Sequence, residues 1–232
     1  MMSGKKAANG FLAVGSGLIL IAVILLTVIE QCVFDLSFFR SEYAKLDTVS
    51  VTGMPEKDLM VTTAELLTYI RGDKANLEIR AEIKGQERQV FNQREIVHMA
   101  DVQRLYLNTR MARNAGLAVL LLLLILLRVS SGKKYFRSWA GGFLAAAVLF
   151  LCVFGTVGIA VSQDFQVFWD SFHDLLFTND LWLLDPKTDI LIQMVPEHFF
   201  FDLVVRILAF FGSAVLMLAF VAAGIRIIYQ KV

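Results

Sequence analysis

Three histidines, at positions 98, 173 and 198, are the only side chains of this 232-residue chain whose ordinary pKa allows proton exchange near neutral pH. His98 stands in Glu95-Ile96-Val97-His98-Met99-Ala100-Asp101-Val102. On a helix Asp101 is three residues further on, within reach for its carboxylate to orient the imidazole and raise its basicity. The plainer reading of that stretch is a solvated helix face. His173 stands in a dense aromatic run with Phe165, Phe168, Trp169, Phe172, Phe177 and Trp182. An aromatic belt at a membrane interface has this composition, but an imidazole pressed against rings would also lose its charged form and stay a neutral base. His198, in Pro196-Glu197-His198-Phe199, reads as an interfacial residue ahead of an apolar stretch. Asp202 and Arg206 lie four apart in that stretch, where a structural ion pair is expected. Asp170, Asp174, Asp180, Asp185 and Asp189 are too irregularly spaced for a calcium loop. No phosphate-binding loop, Gly-x-Ser-x-Gly elbow or His-Glu-x-x-His zinc motif is present, which removes several common enzyme classes.

The elements that must position these residues are built for lipid. Hydrophobic residues make up 57% of the chain and its mean hydropathy is +0.63, whereas a water-soluble domain rarely exceeds about half apolar. Four stretches, residues 11–29, 114–130, 138–161 and 199–228, approach the roughly 20 helical residues that span a bilayer. The second is short and almost pure leucine, with Arg110, Arg113 and Arg128 placed to snorkel at its ends. The first is longer than a signal-peptide core. Residues 27–31 offer no small-residue cleavage pattern, and Glu30 and Gln31 do not suit a lipobox ending at Cys32, so this stretch reads as a retained anchor. Cys32 and Cys152 read as small apolar residues rather than a disulfide pair.

Charge then sets the orientation. The tails 1–10 and 229–232 and the loop 131–137, with the span ends beside them, carry Lys5, Lys6, Arg128, Lys133, Lys134, Arg137, Arg226 and Lys231 and no acidic residue. All 21 Asp and Glu residues therefore fall on the other side. Basic residues are retained in the cytoplasm, so both termini are expected inside, with Arg110 and Arg113 running against the rule. The overall net charge of +1 gives no sign of a nucleic-acid partner. The outer face would own residues 30–113 and 162–198. Residues 62–71 read as a short helix capped by Thr62 or Thr63, with Glu65 in its first turn and Gly72 ending it. Alternation through residues 77–83, Gly85 in a turn and a return at Gln89-Val90-Phe91 predict a hairpin. From Asn92 the period becomes helical and runs on into the second span. That makes about 37 residues or roughly 55 Å, some 25 Å more than a bilayer, so a break is expected at 108–116. The fold class is thus all-α integral membrane protein, with four transmembrane helices and an extracellular cap that is mostly helical with room for one short β-hairpin.

Two sets of these residues resemble a known family. Phe91, Glu95, His98, Met99, Asp101 and Val102 match its first motif. Phe168, Phe172, His173, Phe177, Asn179, Asp180 and Trp182, followed by Asp189, Pro196-Glu197 and Phe199-Phe200, match its second. The resemblance is to the lipoprotein intramolecular transacylase (Lit) of Gram-positive bacteria. It implies an acyltransferase of the cell membrane, acting on diacylglyceryl-modified lipoproteins and on membrane lipid as its surroundings. The sn-2 acyl chain would move from the glyceryl group to the α-amine of the same N-terminal cysteine, giving the lyso-form. The resemblance also implies two catalytic histidines, His98 and His173, with no cofactor and no metal. Asp101, Glu95, Asn179 and Asp180 would support them, Asn179 as a donor to the developing oxyanion. Phe168, Phe172, Phe177, Trp182 and Met99 would line an acyl-binding pocket.

Rival readings remain. A small transporter would need polar or proline-broken spans, which these are not. A metal-dependent hydrolase would use His98, Asp101 and His173; an assembly factor would need neither histidine; an acyl-enzyme would run through Cys32.

Overall fold

The computed structural model describes residues 2–229; Lys231 of the basic tail lies outside them. Helix dominates: α1 (Met2–Val33), α2 (Leu36–Lys45), α3 (Thr48–Thr52), α4 (Glu56–Arg71), then strands β1 (Arg80–Ile83) and β2 (Gln86–Gln89), then α5 (Gln93–Ser131). A 3-10 turn, Gly132–Lys134, leads to α6 (Tyr135–Gln163), followed by α7 (Phe165–Leu176), α8 (Ile190–Met194) and α9 (Glu197–Ile228). Among the described residues three helical runs are long and apolar enough to cross a membrane: Gly4–Val33, Gln93–Gln163 and Glu197–Ile228. The chain divides into two compact units, the first made of Met1–Glu30, Arg110–Ile159 and Arg206–Val232, the second of Gln31–Thr109 and Ala160–Val205.

The first unit is a bundle held by small residues. A Cβ on Gly142 would lie 2.3 Å from the carbonyl carbon of Ala13, and one on Gly17 would lie 2.9 Å from the Cα of Phe143. Thus α1 and α6 touch backbone to backbone, the close approach by which helices associate in lipid. Ile21, Phe143, Phe211, Val215 and Ala222 fill the interior, while Leu121, Phe220 and Ile227 face outward at 61%, 83% and 71% exposure. An exterior so apolar is sustainable only in lipid, where a helix keeps its own backbone groups bonded. Arg113, one of the two arginines that run against the charge rule, is ion-paired with Glu30.

The expected break at 108–116 is absent: α5 is one helix of 39 residues, roughly 58 Å long. Gly116, which invited a kink, instead serves packing, because a Cβ there would come within 3.1 Å of Val23.

In the second unit the hairpin appears in the expected place. β1 and β2 pair antiparallel with Arg80 opposite Gln89 and Ile83 opposite Gln86. Lys84 (φ 52°) and Gly85 (φ 79°) both take left-handed backbone, which is the two-residue turn that matches strand twist. The helix predicted over 62–71 begins earlier, at Glu56, with Pro55 at its N-cap. Thr62 and Thr63 are therefore not caps but buried residues in its middle; Thr63 shares a 2.8 Å hydrogen bond with the Tyr43 hydroxyl of α2. Gly72 does end α4, at φ 85°. Helices α2 and α3 escaped prediction because neither carries a clear apolar period. Asp35 caps α2 through the Ser37 N–H. The pairing expected for Asp202 also needs correction: its carboxylate is engaged by Lys45 of α2, and the Arg206 guanidinium lies over the Phe210 ring.

A Gly142→Val change should force α1 and α6 apart at a cost of about 1–3 kcal/mol or more. Gly141→Ala, where a Cβ meets nothing within 4 Å, should leave stability unchanged or slightly raised. Thermal unfolding of both variants in the same detergent checks the pair.

Candidate active site

The site is assembled at the head of α5. Asn92 and Glu95 form a reciprocal cap: the Asn92 side chain accepts from the Glu95 N–H at 3.1 Å, and the Glu95 carboxylate accepts from the Asn92 N–H at 2.7 Å. The other Glu95 oxygen accepts from the Leu191 N–H of α8 at 2.6 Å, across 96 residues of sequence. Asn92 also donates to Asp189 at 2.8 Å; Asp189 in turn accepts from the Asp185 N–H and the Thr188 hydroxyl. Glu95 is 1% exposed, and burial raises its pKa although the two backbone N–H groups work against the rise. Glu95 is therefore a positioning residue that pins α5 to α8. Leaving its two partners unpaired would cost about 1–3 kcal/mol each.

One face of α5 carries Arg94, His98 and Asp101, four and three residues apart. Arg94 donates to the backbone oxygen of Asp180 and lies 3.6 Å from its carboxylate. Asp101 accepts from the Asn179 side chain at 2.9 Å and from Arg104 at 3.3 Å. These ties, two turns apart, lay the segment after α7 along α5. One expectation changes as a result: Asp101 is committed to Asn179 and Arg104 instead of orienting His98. Asn179 spends one amide hydrogen on Asp101 and has the other left.

The two histidines meet under this segment. Their ring centroids are 6.2 Å apart, and both contact Phe177, His98 at 5.3 Å and His173 at 5.7 Å. Trp182 stacks on His173 at 4.7 Å, Trp169 meets it edge-on at 4.4 Å and Phe172 at 5.6 Å. Trp169 is itself stacked on Phe200 of α9 at 4.2 Å. Phe168 packs on Phe165 at 5.9 Å, and Met99 is buried beside His98 in sequence. Trp169 was legible as part of the aromatic run, one helical turn before His173, but its role was not. Its carbonyl accepts from His173 Nδ1 at 2.9 Å, so that nitrogen carries the proton and Nε2 keeps its lone pair. His198 lies exposed at the start of α9.

Both imidazoles are buried, at 7% and 6% exposure. His98 lies in the polar first half of α5, ahead of the leucine run. Burial first, then the neighbouring His173, lowers its pKa to about 4, with Asp101 acting weakly the other way. His173 is lowered too, by burial, against the pull of the Trp169 carbonyl, Asp170 and Asp174. His98 Nδ1 is buried without a hydrogen-bond partner, a deficit worth about 1–3 kcal/mol that a polar ligand would relieve. Among the described residues no three His, Cys, Asp or Glu side chains are grouped to hold a metal ion. Cys32 is buried and Cys152 exposed, and neither is in a disulfide.

Histidine NMR should therefore find His98 neutral at pH 6 and protonating only as the pH approaches 4. Because the unfolded chain takes up that proton at about 6.5, stability should fall as pH drops from about 6.5 to 4. His98→Leu should flatten that dependence. A His98 titration near 6.5 would contradict the burial argument.

The Lipoprotein intramolecular transacylase Lit family matches residues 14–200 of the chain. Among solved structures, that of the membrane integral lipoprotein intramolecular transacylase Lit from Bacillus cereus is similar over 100% of both chains, with a TM-score of 0.78 at 16% identity. Two variants of that enzyme, with a histidine replaced by arginine or by alanine, give TM-scores of 0.74 and 0.77 at 16% and 15% identity. The first covers 97% of this chain and 94% of its own, the second 100% and 99%. A comparison with curated proteins found no match. With the family match spanning most of its length and apolar helices to embed it, this chain belongs to the lipoprotein intramolecular transacylase Lit family of membrane-integral acyltransferases.

Proposed function

We propose that the chain moves the sn-2 acyl group of a diacylglyceryl-cysteine lipoprotein onto that cysteine's own α-amine, and that His173 and His98 carry the transfer. The amine nitrogen bonds to the ester carbonyl carbon, the carbon–oxygen bond to the glyceryl group breaks, and the proton leaving the amine ends on the glyceryl oxygen. The observation that carries this reading is the pair of buried imidazoles 6.2 Å apart in one aromatic niche.

The magnitudes suggest different parts for the two. With Nδ1 donating to the Trp169 carbonyl, His173 offers Nε2 as the base that takes the amine proton and returns it to the leaving oxygen. His98, with a pKa about 4, would be protonated in roughly one molecule in a thousand at pH 7. It is thus unfit as a cationic acid but suited, as a neutral N–H donor, to the developing oxyanion. Phe168, Phe172, Phe177, Trp182 and Met99 give the acyl chain apolar surface and keep hydrolytic water away. Asp101 with Asn179, and Arg94 with Asp180, hold that wall in place. No serine is needed, since amine and ester share one molecule and positioning alone can supply about 7–11 kcal/mol.

For the membrane arrangement we infer four spans. The 71-residue run Gln93–Gln163 holds two helices joined at Gly132 (φ 57°), and a hairpin there lets it cross twice. The basic residues of the tails and of the 131–137 loop then lie in the cytoplasm, and the histidines work at the outer face.

Replacing His173 with Ala should lower lyso-lipoprotein formation by about 10²–10⁴-fold, and His98→Ala by about 10²–10³-fold, with membrane expression intact. Mass spectrometry of a reporter lipoprotein's N-terminal peptide reads the result. Acyl chains left on the glyceryl group in the presence of the unmutated protein would refute the reaction. Cysteines placed at Lys133 and Asp180 should be labelled by a membrane-impermeant reagent in whole cells only at 180; labelling at 133 would invert the topology.

A further inference from the structure

A second feature lies within the first unit and owes nothing to the transfer chemistry. A cavity of about 520 Å³ is lined by Lys6 and Asn9 of α1, Ser131 at the end of α5, Lys134 of the 3-10 turn, Arg137 of α6 and Arg226 of α9. Four cationic side chains thus converge from four separate segments, and among the described residues no carboxylate lines the space. Like charges gathered this way repel one another, and an added anion lowers that repulsion. Among the described residues the Asn9 amide oxygen and the Ser131 hydroxyl are buried there with no hydrogen-bond partner, a loss of satisfaction that a polar ligand would repair.

The surroundings point to a lipid. The inner wall is apolar and small, with Ala13, Val14, Gly141 and Gly142. Beside the cavity, Tyr135 packs on Phe136 at 5.1 Å and Phe136 stacks on Tyr229 at 5.4 Å, the aromatic grouping that marks headgroup depth. Basic pockets between transmembrane helices at this depth recognise phospholipid headgroups.

We propose that this cavity binds the phosphodiester of an anionic glycerophospholipid whose headgroup carries free hydroxyls. Lys6, Lys134, Arg137 and Arg226 surround the phosphate, Ser131 donates to one of its oxygens, and Asn9 accepts from a headgroup hydroxyl. The glycerol backbone and upper acyl carbons rest on the small apolar wall. A lipid seated here ties all four segments together at the end of the bundle.

The test uses the full-length protein, delipidated in neutral detergent, with native mass spectrometry and thermal unfolding as readouts. Phosphatidylglycerol should bind at least about tenfold more tightly than phosphatidylethanolamine, with a matching rise in Tm. Lys6→Ala with Arg226→Ala should remove that preference, whereas Lys5→Ala with Lys133→Ala, which delete equal charge outside the cavity, should retain it. Gly141→Leu should block binding with every charge in place. If that variant does not fold, the alanine pair, at exposed positions, still decides the matter. Equal binding of the two lipids, or an unchanged preference in the Lys6 and Arg226 variant, would overturn the site. Inorganic phosphate saturating it at the same concentration as the lipid would overturn the assignment to a lipid headgroup.

Discussion

The carboxylate of Glu95 is buried, and a buried carboxylate has to be surrounded by donors. Here those donors are backbone N–H groups from two places far apart in the chain, Asn92 and Leu191. Because that requirement is strict, the start of α5 and the start of α8 are held in one geometry. The Asn92–Asp189 bond adds a second fastening of the same kind. These hydrogen bonds of Glu95 and Asn92 thus set where the segment between α7 and α8 meets the head of α5.

Given that anchor, the histidine pair is controlled by desolvation more than by charge. The aromatic rings around it supply no hydrogen bonds to the imidazole faces, so they push both groups toward neutrality. The charged residues nearby are spent on each other: Arg94 on Asp180, and Asp101 on Asn179 and Arg104. They act as stays for the wall. A single backbone carbonyl, that of Trp169, decides which nitrogen of His173 holds the proton. The result is a pair of buried imidazoles that their aromatic surroundings hold toward the neutral form.

The bundle answers to a different solvent. Its helices gain nothing from hiding leucines from lipid, so closeness of packing has to hold them; glycines 17 and 142 stand where a side chain would collide, and Gly116 where it would be tight. Ion pairing adds to this, as with Arg113 and Glu30. At one end the arrangement leaves a basic hollow with two unsatisfied polar groups, a costly feature that a bound anion would account for.

Much of this was legible in the sequence because it follows from local rules. Apolar runs, the separation of basic from acidic residues, the Lys84-Gly85 turn and the motif residues around His98 and His173 are all short-range patterns. Period and composition suffice for them. The extent of α4, the presence of α2 and α3, and the unbroken passage of α5 through 108–116 were not legible, since packing overrode weak local signals there. The two histidines and the residues around them could be read directly, but not their partnerships. Asp101 sits three residues from His98, yet its carboxylate is taken by a residue 78 positions away. Glu95 read as a support, and the means of that support, a joint between two segments, came only from the fold. Local sequence determined which groups were available; only the tertiary structure decided which were buried together, because burial, and the hydrogen bonds it makes obligatory, arise between segments that sequence spacing keeps apart.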